Sequence, residues 1–457
     1  MDRTELFEKM PVKRAVLRQI VPAVASQMVA VVYNLTDTYF VGKLNAPEHT
    51  AAVTVVAASF ILLNAVASLF GVGGASVIAR KLGAKKPHEA REVASIAFWL
   101  GLGTALLAAA LYAVFMRPLL YVSGAKDDFY ALAAGYAKWV MVIGGPFAIM
   151  NTLLANLVRA EGNAAHASIG VSLGGIMNIA LDPFFVLPRF LGLGAVGAGM
   201  ATAISNMIAT GYFAVLLLIK RKDRIMNLQL RALKRIKFHV GAILAVGFPS
   251  ALQHALTTVA VAAQARFVAG YATQAVAALG IIKKLDFLPL YFTIGVATGL
   301  LPLLGYNYAA GNEKRRREAF RFGCSIAVGF ALICLVCYEL FAPQLASLFI
   351  KDALTIEYAA AFLRRMVVAM PLMALCYPMI VQFQAMGKVR ESLIVSILRK
   401  GVLDIPLLFI MNALLPLYGC MWVQPIIDGV ALIVASLLYR RAIKNPPLEQ
   451  KLQSACP

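Results

Sequence analysis

Apolar segments long enough to cross a lipid bilayer recur along the whole chain of 457 residues. A helix of about 20 apolar residues spans roughly 30 Å of hydrocarbon. Twelve such segments are expected, at residues 15–42, 51–79, 93–116, 130–158, 165–187, 192–219, 240–267, 275–304, 320–345, 358–385, 391–413 and 418–439. The chain is 61% hydrophobic, whereas soluble domains are about 45 to 50% apolar. The sequence therefore predicts an all-α polytopic membrane protein with twelve transmembrane helices.

Positive charge is concentrated in alternate connections between these segments. The formal net charge is +21, and basic residues gather at the N-terminus and in 80–91, 220–237, 314–321, 388–390 and 440–451. Such a bias places the basic connections in the cytoplasm, together with both termini. Contact with anionic lipids explains the basic clusters better than nucleic-acid binding does.

The sequence shows neither a processing signal nor a cofactor site. No small-residue cleavage site follows the first apolar segment, so no signal peptide is expected. All six cysteines lie in the C-terminal half without clustered histidines, and metal or redox use needs such partners. We expect packing cysteines and no cofactor.

The two halves of the chain resemble each other at an offset near 228 residues. The matching landmarks are Pro22 with Pro249, 71–94 with 299–322, 159–168 with 384–393, and 197–205 with 419–427. Six spans in each half make parallel repeats, related by a pseudo-two-fold axis along the membrane normal. The expected divisions are an N-terminal bundle at 1–220, a basic cytoplasmic linker at 221–238, a C-terminal bundle at 239–445 and a cytoplasmic tail at 446–457.

Carboxylates inside the first and fifth spans are the leading functional candidates. Asp37 lies in the first span, where an ionisable group costs roughly 2.5 to 3.5 kcal/mol. Asn178 and Asp182 are four residues apart and share one helical face, and Pro183 leaves the carbonyl of Ile179 without its usual donor. Two carboxylates in one dry pocket cannot both ionise cheaply. We therefore expect Asp37, Asn178 and Asp182 to form a cation-coupling site.

Structural explanations for these residues stay open. Asp37 could be a satisfied polar group at a helix end, and Asn178 could join helices by a hydrogen bond. Pro22 could be a hinge in the first helix, or it could lie harmlessly in the first turn.

Further polar residues are expected in the C-terminal half. Arg266, Lys283, Lys284 and Asp286 lie near the outer ends of the seventh and eighth spans. We expect them to snorkel or to pair with one another, or else to line the outer part of a cavity. Arg399 and Asp404 are about one helical turn apart and suggest a neutralised pair. His254 is expected to be a hydrogen-bonded core residue, although it could titrate near neutral pH.

Five motifs resemble the multidrug and toxic compound extrusion (MATE) transporter family, most closely its bacterial DinF-like branch. They are IVPAVASQMVAVVYNLTDTYFVGKL, NLVRAEGN, MNIALDPFFV, GAGMATAIS and GYNYAAGNEKRRREA. The resemblance implies two six-helix bundles that export organic, often cationic, compounds by alternating access. It assigns coupling to Asp37, Asn178 and Asp182 and bending to Pro22. Weaker matches to polar positions of the N-terminal bundle are Thr202, Asn156 and Tyr136.

The resemblance also limits the coupling ion to H⁺ or Na⁺ and suggests the partners and the location of the protein. The resemblance implies that family members coupled to sodium have acidic residues in the seventh and tenth spans. In this chain those spans contain the polar residues Gln253, His254 and Gln264 but no Asp or Glu. We therefore expect coupling to H⁺, with Na⁺ at Asp37, Asn178, Asp182 and Thr202 as the alternative. The expected partners are organic small molecules and membrane lipids. A monomer in the bacterial cytoplasmic (inner) membrane is expected.

Two other functions are considered. A lipid or lipid-linked oligosaccharide flippase of the same superfamily could bind pyrophosphate through Arg266, Lys283 and Lys284. A membrane-embedded enzyme would need a nucleophile with a base or a histidine-rich metal cluster. Five dispersed histidines supply neither, so an enzyme is not expected.

Overall fold

The computed structural model describes residues 4–44, 46–219, 226 and 228–444, and within these residues the chain is helical without strands. The first half contains α1 (Val12–Gly42), α2 (Pro47–Gly83), α3 (Pro87–Val114), α4 (Met116–Val122), α5 (Asp127–Ala137), α6 (Gly145–Ala160), α7 (Ala164–Val186) and α8 (Gly194–Ile219). The second contains α9 (Ile236–Ala269), α10 (Thr273–Ala309), α11 (Glu313–Ser347), α12 (Ala353–Met366), α13 (Ala369–Ala385), α14 (Val389–Arg399), α15 (Asp404–Leu414) and α16 (Gly419–Lys444). Short π-helical segments, Glu5–Lys9 and Lys138–Ile143, and a 3₁₀ segment, Leu230–Arg235, complete the described helices.

The twelve predicted spans are built from more than twelve helices. Nine single helices in the described part of the chain are long and apolar enough to cross a membrane. The segment 127–160 bends by 42° and the α12–α13 pair by 48°, and counting each as one span gives eleven. The remaining predicted span, 391–413, is broken into α14 and α15, each of 11 residues. Eleven helical residues cover only about 16 Å, so this span needs both pieces.

The helices follow the internal repeat seen in the sequence. Pro22 lies inside α1 and Pro249 inside α9. The turns after α6 and α13 each hold a glycine with positive φ, Gly162 at 89° and Gly387 at 69°, a backbone conformation that favours glycine after a helix. The second bundle begins with α9 at Ile236, slightly before the predicted 239. Most of the linker's first half (221–225 and 227) and the tail 446–457 lie outside the described residues.

The two bundles meet most closely on the membrane side that carries the N-terminus, here called the N-terminal side. A Cβ atom on Gly247 of α9 would lie 1.8 Å from the carbonyl oxygen of Leu69 in α2. A Cβ on Gly295 of α10 would lie 2.7 Å from the Cα of Val24 in α1. Glycines let helix backbones touch inside a membrane, where close packing drives helix association. The interface between the bundles therefore depends on these glycines.

The segment Glu5–Lys9 closes this side further by contacting both bundles. Phe7 is fully buried and stacks on Tyr306 of α10 with ring centroids 4.8 Å apart. Glu8 Oε1 accepts hydrogen bonds from Lys85 Nζ of the first bundle at 2.6 Å and from Tyr306 Oη of the second at 2.7 Å. The bond from Lys85, and then that from Tyr306, lowers the pKa of Glu8. Because the lowered pKa keeps the Glu8 carboxylate ionised below its ordinary titration range, the stabilisation from these bonds is present at neutral pH and is lost as the pH falls through the lowered pKa.

We predict that Gly247→Ala destabilises the closed N-terminal side. The added methyl must displace the backbone of α2, and overpacking of this kind costs about 1 to 3 kcal/mol. The matched control is Gly241→Ala in the same helix, because a Cβ there meets nothing within 4 Å. Both substitutions raise the helix propensity by the same amount. A lower melting temperature for Gly247→Ala than for Gly241→Ala therefore measures the destabilisation caused by the clash with α2. Equal melting temperatures would show that the two bundles are not in backbone contact here.

Candidate functional site

Asn178 and Asp182 lie on the buried face of α7 and form the centre of a polar site. Asp182 is fully buried and Asn178 is 3% exposed. Asn178 Nδ2 lies 3.4 Å from Asp182 Oδ1 and 3.4 Å from Thr202 Oγ1 of α8. The predicted shared face is therefore turned into the bundle, where Thr202 joins it.

The third acidic candidate, Asp37, reaches the same site from α1. Its carboxylate is close enough to that of Asp182 for the two to repel each other. Three buried oxygens have no hydrogen-bond partner among the described residues: Asp37 Oδ1, Asp182 Oδ2 and Asn178 Oδ1. Buried polar atoms are normally paired, and unpaired oxygens from three side chains favour a proton or a cation. We call Asp37, Asn178, Asp182 and Thr202 the acidic site.

A small residue on α7 lets α1 approach. A Cβ on Gly175 would lie 2.7 Å from Val29 Cγ1 and 3.3 Å from Tyr33 Cδ1, both in α1. Gly175 is one helical turn before Asn178, and Tyr33 is one turn before Asp37. The close approach thus brings the two acidic helices together beside the site.

The structure brings Tyr136 to the acidic site but not Asn156. Tyr136 of α5 is 8% exposed and interacts electrostatically with both Asp37 and Asp182. The amide of Asn156 instead donates to Thr152 O of its own helix at 2.9 Å and accepts from Arg159 at 3.4 Å. These contacts tie Asn156 to its own helix, α6. None of them links Asn156 to the acidic site, where the sequence predicted a role for it.

Two asparagines that the sequence did not single out extend the polar group. Asn206 Nδ2 donates to Thr202 O at 2.9 Å, and Asn151 Nδ2 of α6 donates to Asn206 Oδ1 at 3.3 Å. Asn206 is four residues after Thr202, so the same spacing that linked Asn178 to Asp182 could have found it. Asn151 has no comparable signal, because it comes from a different helix.

Pro22 lies well inside α1. The helix begins at Val12, so the alternative that Pro22 sits in the first turn is wrong. A proline at this depth removes one hydrogen bond from the helix ladder, at the carbonyl of Arg18. The hinge itself stays a prediction.

The expected pairing in the C-terminal bundle is wrong. Arg399 Nε donates to Asp428 Oδ1 of α16 at 2.8 Å, with both side chains almost fully buried. Asp404 instead accepts from the backbone N–H of Gly401 at 2.8 Å. The helix breaks between Arg399 and Asp404, so the one-turn spacing assumed from the sequence does not hold.

Other polar groups of this bundle have ordinary partners. Gln264, the counterpart of Asp37 in the repeat, donates to Cys420 O at 2.9 Å. His254 lies 3.2 Å from Ser68 Oγ of the first bundle, as expected for a hydrogen-bonded core histidine. No group of three His, Cys, Asp or Glu side chains in the described part of the chain could hold a metal ion.

Two similar helical bundles, close contact on one membrane side and unpaired carboxylates within the membrane define a transporter of the internal-repeat type. The MatE family model matches the chain twice, at residues 22–184 and 249–410. The chain therefore belongs to the MatE family, whose members are membrane transporters and not enzymes. The two matches begin at Pro22 and Pro249, which confirms the internal repeat.

Known proteins resemble the chain over almost its whole length. It is 29% identical over 432 residues to the multidrug export protein MepA of Staphylococcus aureus, covering 94% of both chains. Identity and coverage are the same for MepA of Staphylococcus saprophyticus. A solved structure described as an outward-facing multidrug resistance MATE family transporter of the MOP superfamily superposes with a TM-score of 0.90 at 28% identity, covering 97% of this chain and 98% of that one.

Proposed function

We propose that the chain is a cation-coupled antiporter that exports organic, often cationic, compounds by alternating access. The observation that carries this is the acidic site, where Asp37 of α1 and Asp182 of α7 have unpaired buried oxygens on two helices that pack closely at Gly175. Such a site attracts either an inorganic cation or a positively charged substrate. Competition between the two for the same negative charge is the simplest physical basis for antiport.

The closed N-terminal side supports alternating access. Glycine contacts and the segment Glu5–Lys9 seal the bundles together there. If this side is cytoplasmic, as the distribution of basic residues predicts, the structure represents a state that faces outward. Export then requires these contacts to break, so that the acidic site opens towards the cytoplasm, and to form again in each transport cycle.

The setting proposed for this transport is a bacterial cytoplasmic membrane with both termini inside. The relatives named multidrug export proteins come from staphylococci. The transporter is proposed to act as a monomer on organic small molecules, in contact with membrane lipids, and to need no cofactor besides its coupling ion. Nucleic acid has no part in this function.

The flippase alternative receives no support from these relatives. A flippase would need Arg266, Lys283 and Lys284 together as ligands of the pyrophosphate. Arg266 is exposed near the end of α9, whereas Lys283 interacts with charges deeper in the C-terminal bundle. The three cations therefore do not form one group.

We predict that Asp37→Asn and Asp182→Asn each abolish efflux. The amide keeps the size of the side chain but cannot take up and release a proton or balance a cation. Dye export by purified variants in liposomes measures the effect, and Asp128→Asn, an exposed carboxylate in α5, is the matched control. Near-normal export by either buried variant would exclude it from coupling.

We propose H⁺ rather than Na⁺ as the coupling ion. A proton needs only a carboxylate whose affinity changes between the two states, whereas Na⁺ needs a shell of oxygens. Thr202 Oγ1, Asn178 Oδ1 and the carbonyl of Ile179 could complete such a shell with the two carboxylates, so the geometry permits either ion. What supports H⁺ is that the predicted spans seven (240–267) and ten (358–385) contain no Asp or Glu.

We predict that an imposed pH gradient in sodium-free buffer drives dye export from proteoliposomes. Thr202→Val removes a potential sodium ligand without removing a carboxylate, so proton-driven export should survive it. Asp37→Asn should lose it. Export seen only with a sodium gradient at equal pH, and lost in Thr202→Val, would establish Na⁺ instead. Either ion entering down about 100 mV supplies roughly 2.3 kcal/mol, so the voltage alone cannot separate them.

We predict that Pro22→Ala slows turnover while leaving dye binding intact. Alanine restores the missing ladder hydrogen bond and stiffens α1. The comparison is Pro249→Ala at the equivalent position of α9, which carries no acidic coupling residue. Unchanged export rates of Pro22→Ala at every pH tested would show that Pro22 is not a hinge.

A further inference from the structure

The segment Glu5–Lys9 is separated from α1 by a short extended joint. The segment is a short π-helix, and Met10 N donates to Glu5 O at 2.8 Å at its end. Met10 and Pro11 are then extended, with ψ angles of 142° and 134°, before α1 begins at Val12. A few residues at the end of a helix are enough to absorb a change of direction between two bodies. The joint therefore allows the segment and α1 to move separately.

The second bundle holds the backbone of this segment. A π-helical carbonyl normally accepts from the N–H five residues further on, but five residues after Leu6 comes Pro11, which has no N–H. Arg315 of α11 supplies the missing donor, with Nη2 at 3.2 Å from Leu6 O and Nε at 2.7 Å from Phe7 O. Asn307 Nδ2 of α10 donates to Phe7 O at 3.4 Å. Arg315 is 9% exposed and Asn307 is fully buried, so these bonds are shielded from water.

The contacts of the segment with the first bundle are made by side chains. The turn after α6 meets it at Gly162, where a Cβ atom would lie 3.1 Å from Leu6 Cδ2 and 3.2 Å from the Phe7 ring. The other contact is the ion pair of Lys85 with Glu8, whose side chains are 68% and 30% exposed. Exposed ion pairs contribute little to stability. The first bundle therefore binds the segment less firmly than the second does, although α1 belongs to the first.

Opening of the N-terminal side must detach the segment from one of the two bundles. Detachment from the second bundle would break the charge-assisted hydrogen bonds of Arg315, which are stronger than neutral ones. It would also break the contacts of Tyr306, which stacks on Phe7 and donates to Glu8. Detachment from the first bundle would break the exposed ion pair at Lys85 and the packing against Gly162. The second of these paths needs less free energy.

We propose that residues 5–10 form a latch that stays on the second bundle and is released from Gly162 and Lys85 when the N-terminal side opens. The latch turns at the extended joint of Met10 and Pro11, while α1 moves with the first bundle. The inference rests on the proposed alternating access and adds to it which contacts part and which persist.

Reversible cross-links from residue 8 to each bundle test which contact parts. The double variants Glu8→Cys with Lys85→Cys and Glu8→Cys with Tyr306→Cys allow the latch to be joined to the first and to the second bundle, respectively. Each full-length variant is treated with a short bifunctional methanethiosulfonate reagent, and dye export in liposomes is measured before and after reduction. Glu8→Cys alone, treated in the same way, controls for reaction at the native cysteines.

The two cross-links should have opposite effects. The link between positions 8 and 85 should lower export about tenfold or more, because it keeps the latch on the first bundle and the side closed, and reduction should restore export. The link between positions 8 and 306 should leave export unchanged. Continued export with positions 8 and 85 joined would overturn the latch, and loss of export with both links would overturn its place on the second bundle.

A second measurement does not depend on export. Hydrogen exchange of the amides of residues 5–10 is followed by mass spectrometry in the purified protein in lipid nanodiscs. Arg315→Met removes the donors to Leu6 O and Phe7 O and should speed exchange about tenfold, the value of one hydrogen bond to a charged group. Lys85→Met and the control Arg321→Met, an exposed cation of the same helix as Arg315, should leave exchange unchanged. Equal exchange in Arg315→Met and the wild type would overturn the hold of the second bundle on the latch, whether or not the chain exports dyes.

Discussion

The hydrocarbon interior of a membrane offers no water to a polar side chain, so each such group must be satisfied by the protein or by what the protein binds. Gln264 and Asp428 obey this rule with a backbone carbonyl and a buried arginine. Asp37 Oδ1, Asp182 Oδ2 and Arg399 Nη1 have no hydrogen-bond partner among the described residues, and the same holds for other buried atoms such as Asn307 Oδ1 and Gln382 Oε1. Leaving a buried polar group unpaired costs free energy, and the cost is largest for an ionised group. Among the unpaired groups, the carboxylates of Asp37 and Asp182 therefore have the greatest need of a proton or a cation.

The scaffold is repeated, but its polar content is not. Pro22 and Pro249 occupy equivalent helices, and Gly162 and Gly387 make equivalent turns. At the position equivalent to Asp37, however, the second bundle has Gln264. The segment of the second bundle that corresponds to α7 is broken into α14 and α15. The same scaffold therefore carries unpaired carboxylates in its first half, whereas in the second half the buried charges pair with each other, as Arg399 does with Asp428.

Local spacing accounts for most of what the sequence predicted. The apolar segments and the shared face of Asn178 and Asp182 can be recognised from residues that are close together in the sequence. The repeat can be recognised from one constant offset between the two halves. Pairing between distant segments could not be obtained in this way. Arg399 and Asp428 are separated by the turn 400–403, by the whole of α15 and by the connection 415–418, and the broken span changes which face each residue occupies. Asn156 was placed near the acidic site by resemblance alone, whereas its contacts depend on how α6 packs.

In the proposed transport cycle, what binds at the acidic site must supply the free energy that opens the closed N-terminal side. Opening that side separates backbones that touch at Gly247 and Gly295 and breaks the contacts of Glu8 with Lys85 and Tyr306. A ligand can shift such an equilibrium only by the difference between its affinities for the two states. Asp37 is on α1, and the N-terminal half of this helix forms part of the closed interface through Val24, which Gly295 of α10 contacts. In the proposed cycle, a change in charge at Asp37 would act on the helix that must move. Pro22 lies inside that helix, between the N-terminal segment and the acidic site, which is where we propose that α1 bends.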